Sequence, residues 1–387
     1  MTNKKIKLAV VFGTRPEAIK LIPIIRNLSG NPHFQVVNIV TAQHREMLDQ
    51  VLKTFRIRPQ YDLGVMTPDQ TLAGIVSRSV DGLDRLFKKI KPDAVLVQGD
   101  TATTFASSLA AYYNRMPVGH VEAGLRSGDR WQPFPEEINR KLTGALADWH
   151  FTPTPVALEN LLSEGVNPKA IFVTGNTVID AFRLALQAGR NGLSIGIPKE
   201  LSSKRLILVT AHRRENLGAP MKSICRALRE IVMRFPDVGV VLPVHLNPRV
   251  RQVVYPLLSG VKRVWLTEPL DYLDTARMIQ RSTLVITDSG GIQEEAPSLG
   301  KPVLVLRNKT ERPEGITAGT ARLVGTSGPR IVQEVSRLLS NSSQYATMAN
   351  AVNPYGDGKA AQRICECLLY VFGRRRVRPA PFVHRSR

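Results

Sequence analysis

Cysteine is nearly absent from this chain: Cys225, Cys365 and Cys367 are the only three in 387 residues. So sparse and odd a set argues against a disulfide framework and suits a reducing cytosol. Cys365 and Cys367 lack the usual zinc spacing and have no partner pair, so no metal site is expected. No glycine fingerprint for a dinucleotide is present, and no cofactor is expected. No apolar run approaches the length that spans a bilayer. Leu8 to Phe12, preceded by Lys4, Lys5 and Lys7, is too short for a signal peptide, and Gly13-Thr14-Arg15-Pro16 ends it. A cytoplasmic chain without membrane attachment is the expectation. Acids are scarce as well: 32 Asp and Glu stand against 53 Lys and Arg, a net charge of +21. Six arginines among the last fourteen residues supply part of that excess. A basic surface invites a nucleic-acid partner. Zinc-finger spacing, an RRM signature and a long basic helix are all missing, so none is expected. An anionic small-molecule substrate accounts for the charge equally well.

What is present is alternation. At 387 residues, 43% of them apolar, the chain exceeds what one core usually supports, so two domains are expected. Apolar runs at 6–12, 35–40, 93–98, 117–121 and 171–173 alternate with helical patterns. The pattern restarts with runs at 206–210, 238–244, 262–266, 283–287 and 302–306. Such alternation predicts α/β architecture, with helices on both faces of a parallel sheet in each half. The expected domains are 1–175 and 176–358, with helix 359–372 packing back on the first and 373–387 a basic, disordered tail.

Ligands of such sheets bind off the carboxyl ends of the strands. The stretch from His120 to Arg140 leaves a buried strand and carries Glu122, Asp129 and Glu136 among arginines, broken by Gly124, Gly128, Pro133 and Pro135. Charges interleaved with backbone breakers read as an active-site loop. A solvated surface loop is the alternative, against which Trp131 and Phe134 argue, since both would resist a wet position. Asp100 ends another strand; alone it would read as a helix cap. Thr14 and Glu17 have capping-box spacing with Pro16 in the first turn. Arg15 and Lys20 add charge to that helix start, which suits an anion.

In the second half, Asp288-Ser289-Gly290-Gly291 opens a helix after a strand, and its bare N–H groups suit a phosphate. Glu295, one turn on, is placed for ribose hydroxyls; a surface glutamate beside a glycine-rich turn is the alternative. Arg213, Arg214 and Arg312 would balance a diphosphate. His212 and His245 each end a strand and are expected to face one cleft.

Seven segments then carry a resemblance: Phe12-Gly-Thr-Arg-Pro-Glu-Ala-Ile-Lys20, Gln98-Gly-Asp-Thr101, His120-Val-Glu-Ala-Gly-Leu-Arg126, Pro133-Phe-Pro-Glu-Glu-Ile-Asn-Arg140, Ala211-His-Arg-Arg-Glu-Asn216, Asp288-Ser-Gly-Gly-Ile-Gln-Glu-Glu-Ala296 and Lys309-Thr-Glu-Arg-Pro-Glu314. Together, over nearly the whole chain except the tail, they resemble the non-hydrolysing UDP-N-acetylglucosamine 2-epimerases. The resemblance implies a GT-B-like fold, two doubly wound, Rossmann-like parallel-sheet domains facing a cleft. It implies interconversion of UDP-GlcNAc and UDP-ManNAc without metal or nicotinamide, a homodimer, and supply of ManNAc units for bacterial cell-surface polysaccharides. Asp100, Glu122, Glu136 and His212 would be catalytic, the carboxylates with roles the sequence does not divide. Arg15, Lys20, Arg213, Ser289, Gly290, Gly291, Glu295 and Arg312 would bind substrate.

A hydrolysing relative, a GT-B glycosyltransferase and a nucleic-acid binder are the competing readings. The acid-rich loop at 122–136 speaks against the second. Relatives also use a second UDP-GlcNAc as activator. By position its contacts fall on Gln43, Glu46, Asp69, Glu136, Arg213 and His245. In the related pattern residue 46 is usually glutamine and residue 69 usually arginine. Here both are acidic, and a carboxylate facing a diphosphate repels it. Weakened activation is expected, unless a one-residue slip or Arg78 restores the charge.

Overall fold

The computed structural model describes residues 4–42, 45–67, 70–188 and 196–383, with the side chains of 45–47 excepted. The chain forms two compact units, one comprising the residues through Ala181 with Gly356–Val383, the other Phe182–Tyr355. The division falls inside a helix a few residues beyond the expected 175/176 boundary, and the C-terminal helix belongs to the first unit.

The first unit runs β1 (Ile6–Phe12), α1 (Arg15–Ser29), β2 (Phe34–Val40), α2 (Arg45–Phe55), β3 (Tyr61–Asp62), α3 (Leu72–Ile90), β4 (Ala94–Gln98) and α4 (Ala102–Tyr113). It continues with β5 (Val118–Val121), α5 (Glu136–Leu146), β6 (Trp149–Thr152), α6 (Pro155–Ser163), β7 (Ile171–Val173) and α7 (Thr177–Ala188). Its seven strands are ordered β3-β2-β1-β4-β5-β6-β7, and every pairing is parallel. The strands are near-continuous apolar runs because both faces are covered, as Ala9, Val11, Val95, Val97 and Val118 show by complete or nearly complete burial.

The second unit runs α8 (Lys199–Ser202), β8 (Arg205–Thr210), α9 (Ala219–Arg234), β9 (Val238–Pro243), α10 (Pro248–Leu258), β10 (Val264–Thr267), α11 (Tyr272–Arg281) and β11 (Ser282–Thr287). Then come α12 (Gly290–Glu295), β12 (Val303–Val305), α13 (Pro313–Thr317), β13 (Ala321–Leu323), α14 (Gly328–Ser340) and α15 (Ser342–Ala349). The helix α16 (Ala360–Val371) returns to the first unit. The six strands are ordered β10-β9-β8-β11-β12-β13, again all parallel. Each sheet therefore reverses its winding once, between β1 and β4 in the first and between β8 and β11 in the second. Such switch points leave an open crevice at the strand ends.

The expectation of a disordered tail fails for residues 374–383. The Arg378 guanidinium lies 4.3 Å from the Phe172 ring centroid and donates to the carbonyls of Ile171 at 2.5 Å and Lys169 at 3.0 Å. Arg375 pairs with Glu366 at 3.3 Å. Phe382 is buried and its N–H donates to the Val173 carbonyl at 2.8 Å. The charge run reads as self-repelling, but here the arginines find carbonyls, an aromatic face and an acid. The segment covers β7, the outer strand of its sheet, whose free backbone groups would otherwise invite pairing with another chain.

Two histidines on adjacent strands, His120 and His150, are paired in register and buried. Burial holds them neutral, with pKa values pushed down to about 3 and about 4. The unfolded chain binds protons on both below pH 6.5 or so, and the native state does not, so stability falls with falling pH. Asp180 opposes this: burial raises its carboxyl to about 6 while it accepts the Ala360 and Ala361 N–H groups, and Glu17, raised by burial, acts in the same sense. From pH 7 to pH 5 the two histidines outweigh Asp180 by about 2 kcal/mol. Urea titrations at the two pH values check this; a stability that holds or rises at pH 5 would contradict neutral, buried rings.

Candidate active site

The carboxyl edge of the first sheet gathers most of the expected acids. Register pairs Gln98 with Val121, the last residues of β4 and β5, so Asp100 and Glu122 leave the sheet side by side. Glu122 adopts φ +63°, the left-handed region, which costs a non-glycine residue roughly 1–2 kcal/mol. Side-chain contacts hold it there. Lys20 Nζ lies 2.5 and 2.7 Å from its two oxygens, Gln98 Nε2 donates at 2.5 Å, and Asn176 Nδ2 donates at 2.9 Å. Strain maintained by a buried polar set is a mark of a working group rather than of packing.

Asp100 is held from α5. Arg140 contacts its Oδ2 through Nε at 2.8 Å and Nη2 at 2.7 Å, while Asn139 Nδ2 donates to its carbonyl at 3.0 Å. Arg140 Nη1 also donates to Glu137, which is buried and accepts the N–H groups of Ser127 and Gly128. The loop after β5, helix α5 and Asp100 are thus one connected polar network. Glu136 is the first residue of α5; its Oε2 is buried and meets no hydrogen-bond partner among the described residues. The His120 ring bonds to the Gly99 carbonyl at 2.7 Å and supports the turn before Asp100.

Arg15 is the first residue of α1, half-buried. The Glu17 carboxylate accepts the N–H groups of Gly13 and Thr14 at 2.9 and 2.7 Å and the Thr101 and Thr104 hydroxyls at 2.5 and 3.0 Å. It therefore joins the starts of α1 and α4, beyond a local capping box. Trp131 and Phe134 depart from expectation: they are 64% and 58% exposed, stacked on each other at 5.8 Å, with Arg130 over Trp131. Their mutual contact, not withdrawal from water, limits the apolar area they expose.

In the second unit the loops after β8 and β11 meet at the switch point. A methyl group built on Gly290 would lie 3.8 Å from Arg312 Nη2 and 4.0 Å from Arg213 Nη2, and one on Gly291 would face open space. Two guanidiniums beside bare backbone make an anion cradle. Arg312 is paired with Glu294, and Arg213 lies 3.5 Å from Glu311. The Ser289 N–H bonds to the Thr287 hydroxyl at 2.9 Å. Glu295 is buried and accepts from the Tyr272 hydroxyl at 3.3 Å; burial, then this carboxylate, push the phenol well above its ordinary range. His212 and His245 stack with centroids 5.5 Å apart and planes at 15°. Burial, and then His212, lower the pKa of His245.

Of the residues expected for an activator, Gln43 and Asp69 lie outside the described residues. Glu46 falls in α2, within the stretch whose side chains are not described. Arg78 is engaged by its own neighbourhood, donating to the Val65 carbonyl at 3.0 Å and the Thr67 hydroxyl at 3.1 Å.

The sequence assigns no site role to Gln98, Asn176, Glu137 or Asp288, and Arg140 is read there only as one of the arginines of the loop. Their signal was weak: amides and buried ion pairs carry no spacing rule, although Gln98, Glu137, Arg140 and Asp288 all lie inside the motif segments quoted above.

Two doubly wound parallel sheets, each with charged loops at its switch point, define a GT-B-like protein. Comparison with known proteins narrows this. The sequence profile of the UDP-N-acetylglucosamine 2-epimerases matches residues 26–369. A UDP-N-acetylglucosamine 2-epimerase of Bacillus subtilis is 53% identical over 379 residues, 98% of this chain and 99% of its own length. A crystal structure of a UDP-N-acetylglucosamine 2-epimerase superposes with a TM-score of 0.91 at 51% identity, covering 98% of this chain and all of that one. The Neisseria meningitidis UDP-GlcNAc 2-epimerase, solved bound to UDP-GlcNAc, gives 0.83 at 47% identity, over 94% of this chain and 100% of its own. The chain belongs to the UDP-N-acetylglucosamine 2-epimerase family, as the seven motif segments had indicated.

Proposed function

We propose that this protein interconverts UDP-GlcNAc and UDP-ManNAc without net hydrolysis. The C2–H of a sugar is a poor acid, because no carbonyl adjoins that carbon. Elimination solves the problem: UDP leaves C1 as a base takes the C2 proton, giving 2-acetamidoglucal. A proton then arrives from the other face, and UDP adds back. Inversion at C2 therefore calls for proton-transfer groups on both faces. Asp100, Glu122 and Glu136 are the groups offered by the first unit. The departing diphosphate calls for preorganised positive charge. Arg213 and Arg312 beside Gly290 and Gly291 offer it in the second unit, with His212 adjoining; Arg15 and Lys20 are the cations of the first unit in the same reading.

The observation that carries the proposal is Glu122, kept in a left-handed conformation by Lys20, Gln98 and Asn176 beside Asp100. A glycosyltransferase has no need of such an acid cluster. A homodimer, a cytoplasmic place, the supply of ManNAc units for surface polysaccharides and the absence of a nucleic-acid partner belong to the same reading. Among the described residues, no helix is long and apolar enough to cross a membrane.

Incubation with UDP-GlcNAc in D₂O tests the proposal. Product and recovered substrate should both carry deuterium at C2 by NMR, and the product should be UDP-ManNAc rather than free ManNAc. Turnover with protium retained at C2 would rule out proton abstraction. Release of free ManNAc would instead indicate the hydrolysing reaction.

A further inference from the structure

We infer that Asp288 is a positioning residue that pins the loop carrying His212 and decides which nitrogen of that ring holds the proton. The inference rests on the reading above, in which His212 meets the diphosphate. Asp288 follows β11 and is fully buried. Its Oδ2 accepts three donors: the backbone N–H of His212 at 2.8 Å, that of Arg213 at 2.8 Å, and Asn216 Nδ2 at 2.9 Å. One oxygen thus ties the loop after β8 to the end of β11, across the switch point of the sheet.

The other oxygen carries the chemistry. Oδ1 takes no hydrogen bond from any described residue, yet it lies 3.1 Å from His212 Nδ1. The contact is close but falls short of hydrogen-bond geometry. A buried carboxylate oxygen without a donor is costly, so the proton belongs on Nδ1. In the neutral ring the lone pair is then on Nε2. His212 is 41% exposed, and Nε2 is the atom it can present to a ligand.

His245 is built the opposite way. Its Nδ1 accepts the Asn247 N–H at 3.1 Å, so its neutral ring carries the proton on Nε2. Two stacked imidazoles therefore hold opposite tautomers. His245 in this form can only donate from Nε2. When charged, His212 gives its Nε2 proton to the departing diphosphate, and when neutral it takes that proton back as UDP re-adds, with Asp288 beside Nδ1 throughout. A group that must see UDP leave and return needs that reversibility; a fixed donor lacks it.

Side-chain ¹⁵N NMR of the full-length protein at alkaline pH reads the tautomers directly. The expected spectrum has His212 in the Nδ1–H form and His245 in the Nε2–H form. Asp288→Asn should abolish the His212 preference and lower kcat by roughly 10²-fold or more, with KM changed by less than about threefold. His212 in the Nε2–H form in the unmodified protein overturns the inference whatever the activity, and so does a folded Asp288→Asn protein with unchanged kcat. Should that variant fail to fold, the spectrum of the unmodified protein still decides. Correct tautomers in a protein that does not epimerise UDP-GlcNAc would instead overturn the functional reading.

Discussion

Asp100→Asn or Glu122→Gln should lower kcat by roughly 10²–10⁴-fold, the usual worth of a placed acid or base. Both changes keep shape and remove the proton-transfer group. In Asp100→Asn the Arg140 guanidinium faces an amide instead of a carboxylate. In Glu122→Gln the Lys20 ammonium does, and the amide donors of Gln98 and Asn176 meet a side chain with one acceptor fewer. Some stability is lost in each case, but neither side chain belongs to the apolar core, so both variants should fold. Single-turnover assays alongside thermal unfolding separate the two effects. Wild-type kcat in both variants would remove these carboxylates from the chemistry.

Gly124→Ala is the second large effect, this time on the fold. Gly124 lies in the loop after β5 with φ +86°, and a methyl group there would stand 2.2 Å from the Ala157 carbonyl oxygen. That obstacle is backbone, in the first turn of α6, and cannot rotate away. Asn160 Nδ2 also donates to the Gly124 carbonyl at 2.9 Å, which fixes the loop against the same helix. Overpacking against backbone added to a strained φ costs roughly 4 kcal/mol. For a unit of this size that lowers Tm by about 10 °C. Gly128 is the control: its φ is +78°, but nothing lies within 4 Å of the added methyl. Gly128→Ala should cost only about 1 kcal/mol. Equal Tm values for the two variants would mean that the close approach to α6 is not maintained in solution.

The long parallel strands were legible because burial on both faces writes them as apolar runs. β3, β6 and β13 were not. Tyr61–Asp62 is two residues long, Trp149–Thr152 carries a histidine and a threonine, and Ala321–Leu323 has an arginine at its centre. Strands so short or mixed gain their place by pairing with a neighbour already in the sheet, which no local pattern records. The tail misled for a related reason: its arginines repel one another in sequence but are dispersed over Phe172, Glu366 and free carbonyls in space.

For the site, local chemistry placed Asp100, Glu122, Arg213 and the Ser289–Gly291 turn at strand ends, since glycine turns and charges after a buried strand have few other uses. The motif segments carried the family. Sequence alone does not say which side chains hold those groups. Lys20 and Glu122 are 102 residues apart, Asp100 and Arg140 are 40 apart, and His212 and Asp288 are 76 apart. Those pairings follow from strand order. The winding reverses between β1 and β4 and again between β8 and β11, which sets segments distant in the chain at one sheet edge. Strand order is decided by how buried runs pack against each other, a long-range competition to which spacing along the chain is blind.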